Sequence, residues 1–222
     1  MPNALIFGTS RGLGRALVEQ HLERGWQVIA TVRDRTALDD LGSDALTVET
    51  LDTTDWPAVD ARLARLAGRS LDLLFVSAAI IGPSSGPIGE ADPAPFAEMM
   101  LTNVLAPLRI ADRFADLVRQ EGTVAVMSSG LGSIALNDTA GYEAYRTSKA
   151  ALNMGLRSIC ARRGDKRTWL AVDPGWVQTD MGGPDATLTI AQSIPSLVDM
   201  LESRAGSSGI AFVDYANGEQ PW

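Results

Sequence analysis

Residues that build metal centres and disulfides are scarce in this sequence. Its 222 residues include one cysteine, Cys160, and one histidine, His21. A single cysteine cannot close an internal disulfide, and with only one histidine it does not complete a metal-ligand set. Cys160 is therefore expected to be a small buried apolar residue rather than a reactive thiol. We expect no bound metal.

Long apolar runs and an excess of positive charge are also missing. No run approaches the roughly 18 apolar residues that indicate a membrane-spanning helix. The sequence Met1-Pro-Asn leads directly into the first apolar run, without a signal peptide. The formal net charge of −8 disfavours nucleic acid and anionic membranes as partners. These features predict a cytoplasmic protein with no nucleic-acid or membrane partner.

The sequence does contain a regular alternation of apolar strand patterns and amphipathic helix patterns. Strands are predicted at 4–8, 27–32, 46–50, 71–77, 122–128, 168–173 and 210–214. Helices are predicted near 12–24, 56–67, 93–119, 142–163 and 188–203, and Pro107 is expected to kink the fourth of them. This alternation predicts an α/β fold: a Rossmann-like, doubly wound parallel β-sheet of about seven strands with helices on both faces.

Length and composition predict a single domain. The chain is 45 % apolar and 21 % charged, which is ordinary for a globular protein, and 222 residues suffice for one sizeable core. We therefore expect one domain spanning 1–222. Glycine- and proline-rich loops at 82–87 and 181–184 follow predicted strand ends, where open α/β sheets bind their ligands.

The first strand leads into a glycine-rich turn and then into a helix. Gly8, Gly12 and Gly14 have the spacing G-x-x-x-G-x-G in this turn. Such a turn presents free backbone N–H groups at the helix N-terminus to a pyrophosphate. The glycines allow a tight turn and a close approach of ligand to backbone. The turn is thus a candidate nucleotide-binding site.

Two other interpretations of the same turn fail. It matches the G-x-S-x-G nucleophile elbow of hydrolases around Ser10, but that mechanism needs a histidine base far downstream. The only histidine, His21, lies in the helix that starts at the turn and cannot fold back onto Ser10. A phosphate-binding P-loop would place Lys and then Ser or Thr after Gly14, where Arg15-Ala16 stands.

A tyrosine and a lysine four residues apart form the second candidate site. Tyr145 and Lys149 lie in a predicted helix, and this spacing places them on one helical face. A phenol with its ordinary pKa of about 10 is a poor proton donor or acceptor unless a nearby positive charge stabilises the phenolate. Lys149 could supply that charge. The chain has only two lysines, against seventeen arginines, so the ammonium here looks specific.

In combination these motifs resemble the short-chain dehydrogenase/reductase family, nearly from end to end. The stretches that carry the resemblance are Phe7-Gly-Thr-Ser-Arg-Gly-Leu-Gly14, Leu51-Asp-Thr-Thr-Asp55, Leu101-Thr-Asn-Val104, Val126-Met-Ser-Ser129, Tyr145-Arg-Thr-Ser-Lys149 and Asp173-Pro-Gly-Trp-Val-Gln-Thr179. Two positions depart from the family pattern: Phe7 replaces the usual Thr, and Val76-Ser-Ala-Ala79 replaces N-N-A-G. The ending Gly218-Glu-Gln-Pro-Trp222 is similar to that of the C-factor and Sniffer-like branch.

The resemblance implies hydride transfer between a nicotinamide cofactor and a carbonyl or alcohol substrate. Tyr145 would exchange a proton with the substrate oxygen, and Ser129 would hold that oxygen by a hydrogen bond. Lys149 would lower the pKa of Tyr145 and bind the ribose, and Asn103 would anchor a water that relays the proton. Ser133 is an alternative active-site serine, because Ser129 lies sixteen residues before Tyr145 and the usual gap is shorter.

The same resemblance implies the residues that bind the cofactor. Besides Tyr145 and Lys149, they are Gly8, Ser10, Arg11, Gly12, Leu13, Gly14, Arg33, Asp52, Ser77, Ala78, Ala79, Pro174, Gly175, Val177 and Thr179. Asp52 would bind the adenine. Ser77 and its neighbouring backbone would replace the missing asparagines in bracing the sheet.

The end of the second predicted strand favours NADP(H) over NAD(H). Its first charged residue is Arg33, where an NAD enzyme would place an acid for the ribose 2′-hydroxyl, and an arginine accepts a 2′-phosphate. Arg11 is expected to point into the same neighbourhood. A register shift of one residue would instead place Asp34 at the ribose and favour NAD(H), so NAD(H) stays an alternative.

Two expectations concern partners and role. In the family, the helices around 96–118 and 142–163 form an interface between subunits, so we expect a homodimer or tetramer. We assign to this interface the apolar residues of the two helices: Met99, Leu105, Ile110, Ala151, Met154 and Ile159. The alternative to an enzyme is a nucleotide-binding signalling or sensor protein with incidental turnover. The complete set of Ser129, Tyr145 and Lys149 favours the enzyme.

Overall fold

A computed structural model describes residues 1–82 and 86–222 of the protein, and seven parallel strands form its central sheet. The strands are β1 (Asn3–Phe7), β2 (Gln27–Val32), β3 (Leu46–Thr50), β4 (Leu71–Val76), β5 (Val118–Met127), β6 (Thr168–Asp173) and β7 (Gly209–Asp214). Their order across the sheet is β3-β2-β1-β4-β5-β6-β7. The predicted doubly wound parallel sheet is confirmed. Residues 83–85 of the loop predicted at 82–87 lie outside the described residues.

Helices connect the strands. They are α1 (Gly12–Glu23), α2 (Trp56–Leu66), α3 (Pro93–Met100), α4 (Ala106–Phe114), α5 (Glu143–Arg163) and α6 (Ile190–Arg204). Within the described residues, none of them combines the length and the apolar character that crossing a bilayer demands.

Each face of the sheet has its own apolar core, because the strands are apolar on both faces. In β1, Ala4 and Ile6 pack into the core that contains α1 and α6, whereas Leu5 and Phe7 pack into the core that contains α4 and α5. All four side chains are fully buried. Alternate side chains of a strand point to opposite faces, so a continuous apolar run fills both layers.

The strand order reverses between β1 and β4, and this reversal positions the site. The chain passes from β1 to β2 and β3 on one side, then returns to β4 and continues outward to β7. Diverging connections leave a crevice at the carboxyl ends of β1 and β4, where open α/β sheets bind ligands. Gly8 and Ser77 follow directly on these two strand ends.

The single helix predicted at 93–119 is wrong in two respects. The helical path is broken between α3 and α4 by a π-helical turn at Leu101–Leu105, and it ends in a 3₁₀ turn at Ala115–Leu117. Val118 begins β5: its backbone pairs with that of Leu71, next to a register shift, and its side chain is buried. The kink predicted at Pro107 therefore lies earlier, in the π-helical turn, and Pro107 itself lies in the first turn of α4.

The only histidine of the chain, His21, is buried in α1. His21 is 1 % exposed, its Nδ1 lies 2.7 Å from Leu17 O, and its ring meets Trp26 edge to face at 5.0 Å. Its Nε2 is buried with no hydrogen-bond partner among the described residues. Burial lowers the pKa of His21 to about 4.

Acid should therefore destabilise the fold through His21. The unfolded chain binds a proton at the ordinary pKa of about 6.5 and the folded chain does not, so stability falls as pH drops from about 6.5 towards 4. Urea unfolding should show a loss of roughly 2 kcal/mol between about pH 7.5 and about pH 5 from this group. His21→Phe keeps a ring of similar shape, and its free energy of unfolding should change by roughly 2 kcal/mol less than that of the native protein over the same pH range. Equal pH dependence of the native protein and the variant would contradict this assignment.

Candidate active site

The glycine-rich turn between β1 and α1 is packed so tightly that two of its glycines cannot be replaced. A Cβ on Gly8 would lie 2.6 Å from Ala78 N, and Gly8 has φ +79°, which favours glycine. A Cβ on Gly14 would lie 2.1 Å from Gly8 O. A Cβ on Gly12 would have room, and only its φ of +56° favours glycine there. The turn thus exposes backbone rather than side chains at the carboxyl end of the sheet.

The N-terminus of α1 opens from this turn without a side-chain cap. Arg11, the residue before the helix, has extended backbone and no capping hydrogen bond, whereas Asp55 and Asp92 cap α2 and α3. The first N–H groups of a helix lack intrahelical acceptors and attract anions. Thr9 fixes the turn from behind, since its N–H and hydroxyl both donate to Thr31 O. This cradle fits a cofactor pyrophosphate.

The expected 2′-phosphate end lies at the tip of β2. The backbone N–H of Arg33 donates to Ser10 Oγ at 3.4 Å, so these two predicted residues are neighbours. The Arg33 side chain is exposed, and among the described residues no carboxylate forms an ion pair with it. Asp34 turns away: its carboxylate accepts from the N–H and hydroxyl of Thr36 and caps a 3₁₀ turn. Arg33 is therefore the charged side chain available at this position.

The carboxylate expected to bind the adenine lies beside Arg33. Asp52 Oδ1 accepts from the N–H of Thr54 at 2.8 Å and from its hydroxyl at 2.7 Å. These hydrogen bonds, with a smaller contribution from the charge of Arg33, hold the pKa of Asp52 below its ordinary value. Asp52 is therefore ionised at neutral pH and available as a hydrogen-bond acceptor at the rim of the site.

Arg11 does not point towards Arg33 as expected. Its guanidinium forms an ion pair with Asp180 at 2.9 Å, and both side chains are about three-quarters exposed. Asp180 lies in the loop after β6, on the other side of the crevice. Opposite charge thus draws the Arg11 side chain across the site mouth. The Arg11 side chain is therefore engaged with Asp180, and Arg33 is the arginine at the tip of β2.

The loop after β6 forms the opposite wall. Gly175 has φ +76°, and a Cβ there would lie 2.6 Å from Leu188 Cδ1. Pro174 O accepts a hydrogen bond from the buried Ser193 hydroxyl at 2.7 Å, and Val177 pairs with Leu188 in a parallel bridge. These contacts hold the loop against α6. A cleft of about 620 Å³ separates it from the glycine turn, lined by Arg11, Gly12, Gln178, Thr179, Asp180, Gly183, Pro184 and Ile190.

The predicted catalytic groups meet between β5 and α5. Tyr145 is 8 % exposed, and the Ser129 side chain lies close enough to act on the pKa of its hydroxyl. Lys149 is 1 % exposed, its Nζ donates to Met127 O at 2.8 Å, and it lies 5.5 Å from the centroid of the Tyr145 ring. The helix spacing and the end of β5 thus bring a phenol, a hydroxyl and an amine together. They do not line the 620 Å³ cleft, which lies nearer the cofactor cradle.

The expectation that the phenol has a lowered pKa is not what the structure gives. Burial raises the pKa of Tyr145, the charge of Asp173 raises it further, and only the hydrogen bond from Ser129 lowers it. Burial also lowers the pKa of Lys149 to about 7. The structure therefore holds Tyr145 as a neutral phenol at neutral pH.

Asn103 lies at the centre of the π-helical turn and joins three elements. Its Oδ1 accepts from Ile80 N at 2.8 Å, and its Nδ2 donates to Ile80 O at 2.7 Å and to Ser148 Oγ at 3.1 Å. The Ser148 hydroxyl in turn donates to Tyr145 O at 2.7 Å. π-Turns inside helices frequently mark functional sites. The side chain of Asn103 thus braces the segment after β4 against the Tyr145 helix.

The two serines weighed as the active-site serine have different partners. Ser129 is half-buried and contacts the Tyr145 hydroxyl. Ser133 is 2 % exposed, and its hydroxyl donates to Pro221 O at 2.6 Å and accepts from Leu136 N at 3.1 Å. The structure brings only Ser129 to the phenol.

Three residues that sequence reasoning did not assign support this group. Asp173, at the end of β6, places a carboxylate where its charge acts on Tyr145. Ser148 links Asn103 to α5, as described above. Asn153 accepts from the Ser128 hydroxyl at 2.6 Å and donates to Gly132 O at 3.3 Å, which braces the turn after Ser129. Asn153 follows Lys149 by one helical turn, and that spacing was the available signal.

The segment 77–79 abuts the glycine turn. The N–H of Ser77 donates to Phe7 O at 2.9 Å, and a Cβ on Gly14 would lie 3.2 Å from Ser77 Oγ. Ala78 is the residue that a Cβ on Gly8 would strike. These contacts link the ends of β1 and β4, as expected for the residues that replace the usual asparagines.

The pattern of the short chain dehydrogenase family matches residues 2–187. C-signal from Myxococcus xanthus is 37 % identical over 155 residues, which is 68 % of this chain and 93 % of that protein. A short-chain dehydrogenase/reductase from Burkholderia multivorans with bound NADP has a TM-score of 0.96 and 42 % identity, covering 100 % of this chain and 99 % of its own. The carbonyl reductase Sniffer of D. melanogaster has a TM-score of 0.89 and 29 % identity, with 100 % of both chains covered.

Proposed function

The chain belongs to the short-chain dehydrogenase family, and from that premise we propose that it is an NADP(H)-dependent reductase of uncharged carbonyl compounds. The observation that carries this proposal is the buried Tyr145 with the buried Lys149 amine 5.5 Å from its ring centroid, at the point where Ser129 ends the β5 segment and acts on the Tyr145 hydroxyl. We propose in addition that residues 1–222 form a single NAD(P)-binding domain. The cytoplasmic location stays a prediction from the sequence.

The proposed reaction uses the phenol as an acid. A nicotinamide bound at the crevice would supply the hydride to the carbonyl carbon. The Ser129 hydroxyl would hold the carbonyl oxygen, and Tyr145 would donate its proton to that oxygen as negative charge develops there. A neutral phenol is the form that this step requires, and the raised pKa keeps Tyr145 protonated at neutral pH.

Lys149 and Asn103 would complete the proton path. The Lys149 amine, whose pKa burial lowers to about 7, can exchange a proton near neutral pH and lies against the Tyr145 ring. A bound ribose would offer hydroxyls to this amine. We propose that Asn103 anchors the relaying water. Because its side chain is hydrogen-bonded to Ile80 and Ser148, the backbone of the π-turn would be the group that holds this water.

The cofactor proposed is NADP(H), with NAD(H) as a weaker alternative. NADP is bound in the Burkholderia neighbour. In this chain Arg33 lies exposed beside Ser10, while Asp34 is occupied by Thr36. An arginine and a hydroxyl at the end of β2 offer a charge-assisted site for a 2′-phosphate.

NADPH should bind at least about tenfold more tightly than NADH, and Arg33→Ala should remove most of that preference. We expect the variant to lose about 1.5–3 kcal/mol of NADPH affinity, as for a hydrogen bond to a charged group, while NADH affinity barely changes. Dissociation constants from fluorescence titration measure both. Arg35→Ala, an exposed arginine two residues away, is the matched control and should leave both constants unchanged. Equal native affinities for the two cofactors would overturn the assignment.

The loops around the site favour an uncharged substrate. The loops after β4, β5 and β6, residues 77–92, 128–142 and 174–189, contain no lysine or arginine. Their acidic residues are Glu90, Asp92, Asp138, Asp180 and Asp185. An anionic substrate would therefore meet negative charge without a compensating cation on these loops.

The surroundings of the phenol are apolar. Tyr145 packs in a small cluster with Met99 and Ala144, and the partly buried side chains against it are Ile80, Ile81, Phe96 and Leu131. Six of the exposed large apolar residues of the described chain lie on the same three loops: Ile88, Ile134, Leu136, Tyr142, Trp176 and Met181. Exposed apolar residues concentrated at one edge indicate a ligand-binding surface. We infer a wide apolar entrance for bulky carbonyl compounds.

A panel of aldehydes, ketones and quinones with NADPH tests the proposed function. Each neutral compound is paired with an anionic analogue, such as benzaldehyde with para-carboxybenzaldehyde. We expect turnover of the neutral member, with kcat/KM at least about tenfold above that of the anion. No turnover with any carbonyl, combined with tight NADPH binding, would instead support the nucleotide sensor.

We also propose a homodimer, though fewer of the expected residues are available for it. Met99 and Ile110 are fully buried within the subunit, so their assignment to the interface is wrong: both face inward. Leu105 and Met154 remain 52 % and 63 % exposed, respectively, on the π-turn before α4 and on α5. Two exposed apolar side chains on the elements that the resemblance implicates support contact with a second copy.

Light scattering at micromolar concentration should give twice the 23.6 kDa subunit mass. Met154→Glu places a charge on the proposed interface and should shift the mass towards the monomer. Ala64→Glu, at an exposed position on α2 outside the proposed interface, is the control for the added charge and should leave the mass unchanged. A monomeric mass for the native protein would rule the dimer out.

A further inference from the structure

Residues 220–222, which follow β7, form a segment that we call the strap. The backbone N–H of Gln220 donates to Phe212 O of β7 at 2.8 Å. The Trp222 ring lies 5.6 Å from the Phe212 ring and 4.8 Å from the guanidinium of Arg157 on α5. The strap is thus attached to both β7 and α5.

The strap also holds the turn that follows β5. The Ser133 hydroxyl donates to Pro221 O at 2.6 Å, and the N–H of Ala135 donates to Trp222 O at 3.2 Å. This turn begins at Ser129 and contains the 3₁₀ segment Gly130–Gly132. The far end of the turn is therefore fixed by the strap.

Gln220 reaches the near end of the same turn. Its Nε2 donates to Asp173 Oδ2 at 2.8 Å. Gly130 packs directly on this pair, since a Cβ on Gly130 would lie 2.8 Å from Asp173 Oδ2 and 3.6 Å from Gln220 Oε1. The position of Gly130, and with it that of Ser129, depends on where the Asp173 carboxylate is held.

We propose that Gln220 is a positioning residue for the reaction, which acts by fixing the turn at 129–133 so that Ser129 stays against Tyr145. This inference rests on the proposed reductase function. Gln220 acts through Asp173 and Gly130, and the strap carbonyls act through Ser133 and Ala135. A catalytic group displaced by about 1 Å can cost up to roughly 10²-fold in rate, so loosening this turn should slow turnover while the cofactor cradle stays intact.

Gln220→Ala should lower kcat about five- to tenfold and leave KM and the NADPH dissociation constant within about twofold of native, because an interaction felt mainly in the transition state is lost. The matched control is Glu219→Ala. Glu219 is the preceding residue, and its carboxylate pairs with Arg204 at 3.1 Å rather than with the turn. The control should keep native kcat. Native kcat in Gln220→Ala, or an equal loss in the control, would overturn the proposal.

A double-mutant cycle separates positioning from general structural support. If Gln220 acts through Ser129, then Gln220→Ala should change kcat by less than about twofold when Ser129 is already alanine. Stability could be lowered equally in both backgrounds without producing this result. The same five- to tenfold loss in the Ser129→Ala background would contradict the proposal.

Hydrogen exchange gives a readout that does not depend on turnover. In Gln220→Ala, amides of residues 130–135 should exchange at least about fivefold faster, and those of residues 8–14 should be unchanged. Unchanged protection at 130–135, or faster exchange throughout the chain, would refute the role of Gln220. A native protein that reduces no carbonyl would instead refute the reductase function, and the exchange result would still decide whether Gln220 holds the turn.

Discussion

Tyr145→Phe should lower carbonyl reduction at least about 10²-fold, because it removes the only proton that the proposed site delivers to the substrate oxygen. The ring remains, so its packing with Met99 and Ala144 should be kept. NADPH should therefore bind with nearly native affinity. Steady-state kinetics and a fluorescence titration on the same preparation measure the two effects separately.

The matched control for this variant is Tyr142→Phe. Tyr142 lies three residues earlier and is 41 % exposed at the proposed entrance; the change removes the same hydroxyl but keeps the apolar ring that would face the substrate. It should keep native kcat. If Tyr145→Phe keeps more than about half of the native activity, the phenol is not the proton donor.

Ser129→Ala should also cost about 10²-fold in kcat, because the substrate oxygen loses a donor as charge develops on it. Ser133→Ala should cost only the smaller loss expected from loosening the turn, since its hydroxyl is engaged with Pro221 and Leu136. Comparing kcat of the two variants decides between the serines that the sequence left open. A larger loss in Ser133→Ala would exchange their roles.

Strands and the glycine turn were predictable because short-range patterns determine them. The strands predicted at 27–32, 46–50 and 168–173 coincide with β2, β3 and β6 as the structure has them. Gly8 and Gly14 were recognisable from spacing alone, and the structure adds the reason: a Cβ on either would meet backbone. The predicted resemblance to the short-chain dehydrogenases is confirmed by the family match over residues 2–187.

The π-turn and the start of β5 were not predictable from local pattern. The sequence at 101–105 gives no local sign that the regular helix is interrupted. Asn103 lies at the centre of the π-turn, and its partners Ile80 and Ser148 are 23 and 45 residues away along the chain. The local sequence around Val118 is typical of an amphipathic helix, and only the pairing with Leu71 shows that this residue belongs to a strand. Long-range contacts override local propensity at both places.

The electrostatics of the site were the hardest part to predict. The sequence shows a lysine four residues after Tyr145, which suggests a lowered pKa for the phenol. Burial and Asp173 act the other way, and both depend on how β5, β6 and α5 pack. Asp173 comes from another strand, and nothing in its local pattern relates it to Tyr145. The sequence identified Tyr145 and Lys149 but not the direction in which the pKa of Tyr145 shifts.

Transfer of deuterium from labelled NADPH tests the central claim most directly. NADPH with deuterium at both hydrogen positions of the hydride-donating nicotinamide carbon is incubated with the native protein and a bulky neutral ketone or aldehyde, and the alcohol is analysed by mass spectrometry. The proposed reaction places one deuterium on the carbinol carbon, at a rate that falls at least about 10²-fold in Tyr145→Phe. An alcohol without deuterium, or no alcohol from a protein that binds NADPH, would contradict the proposed function.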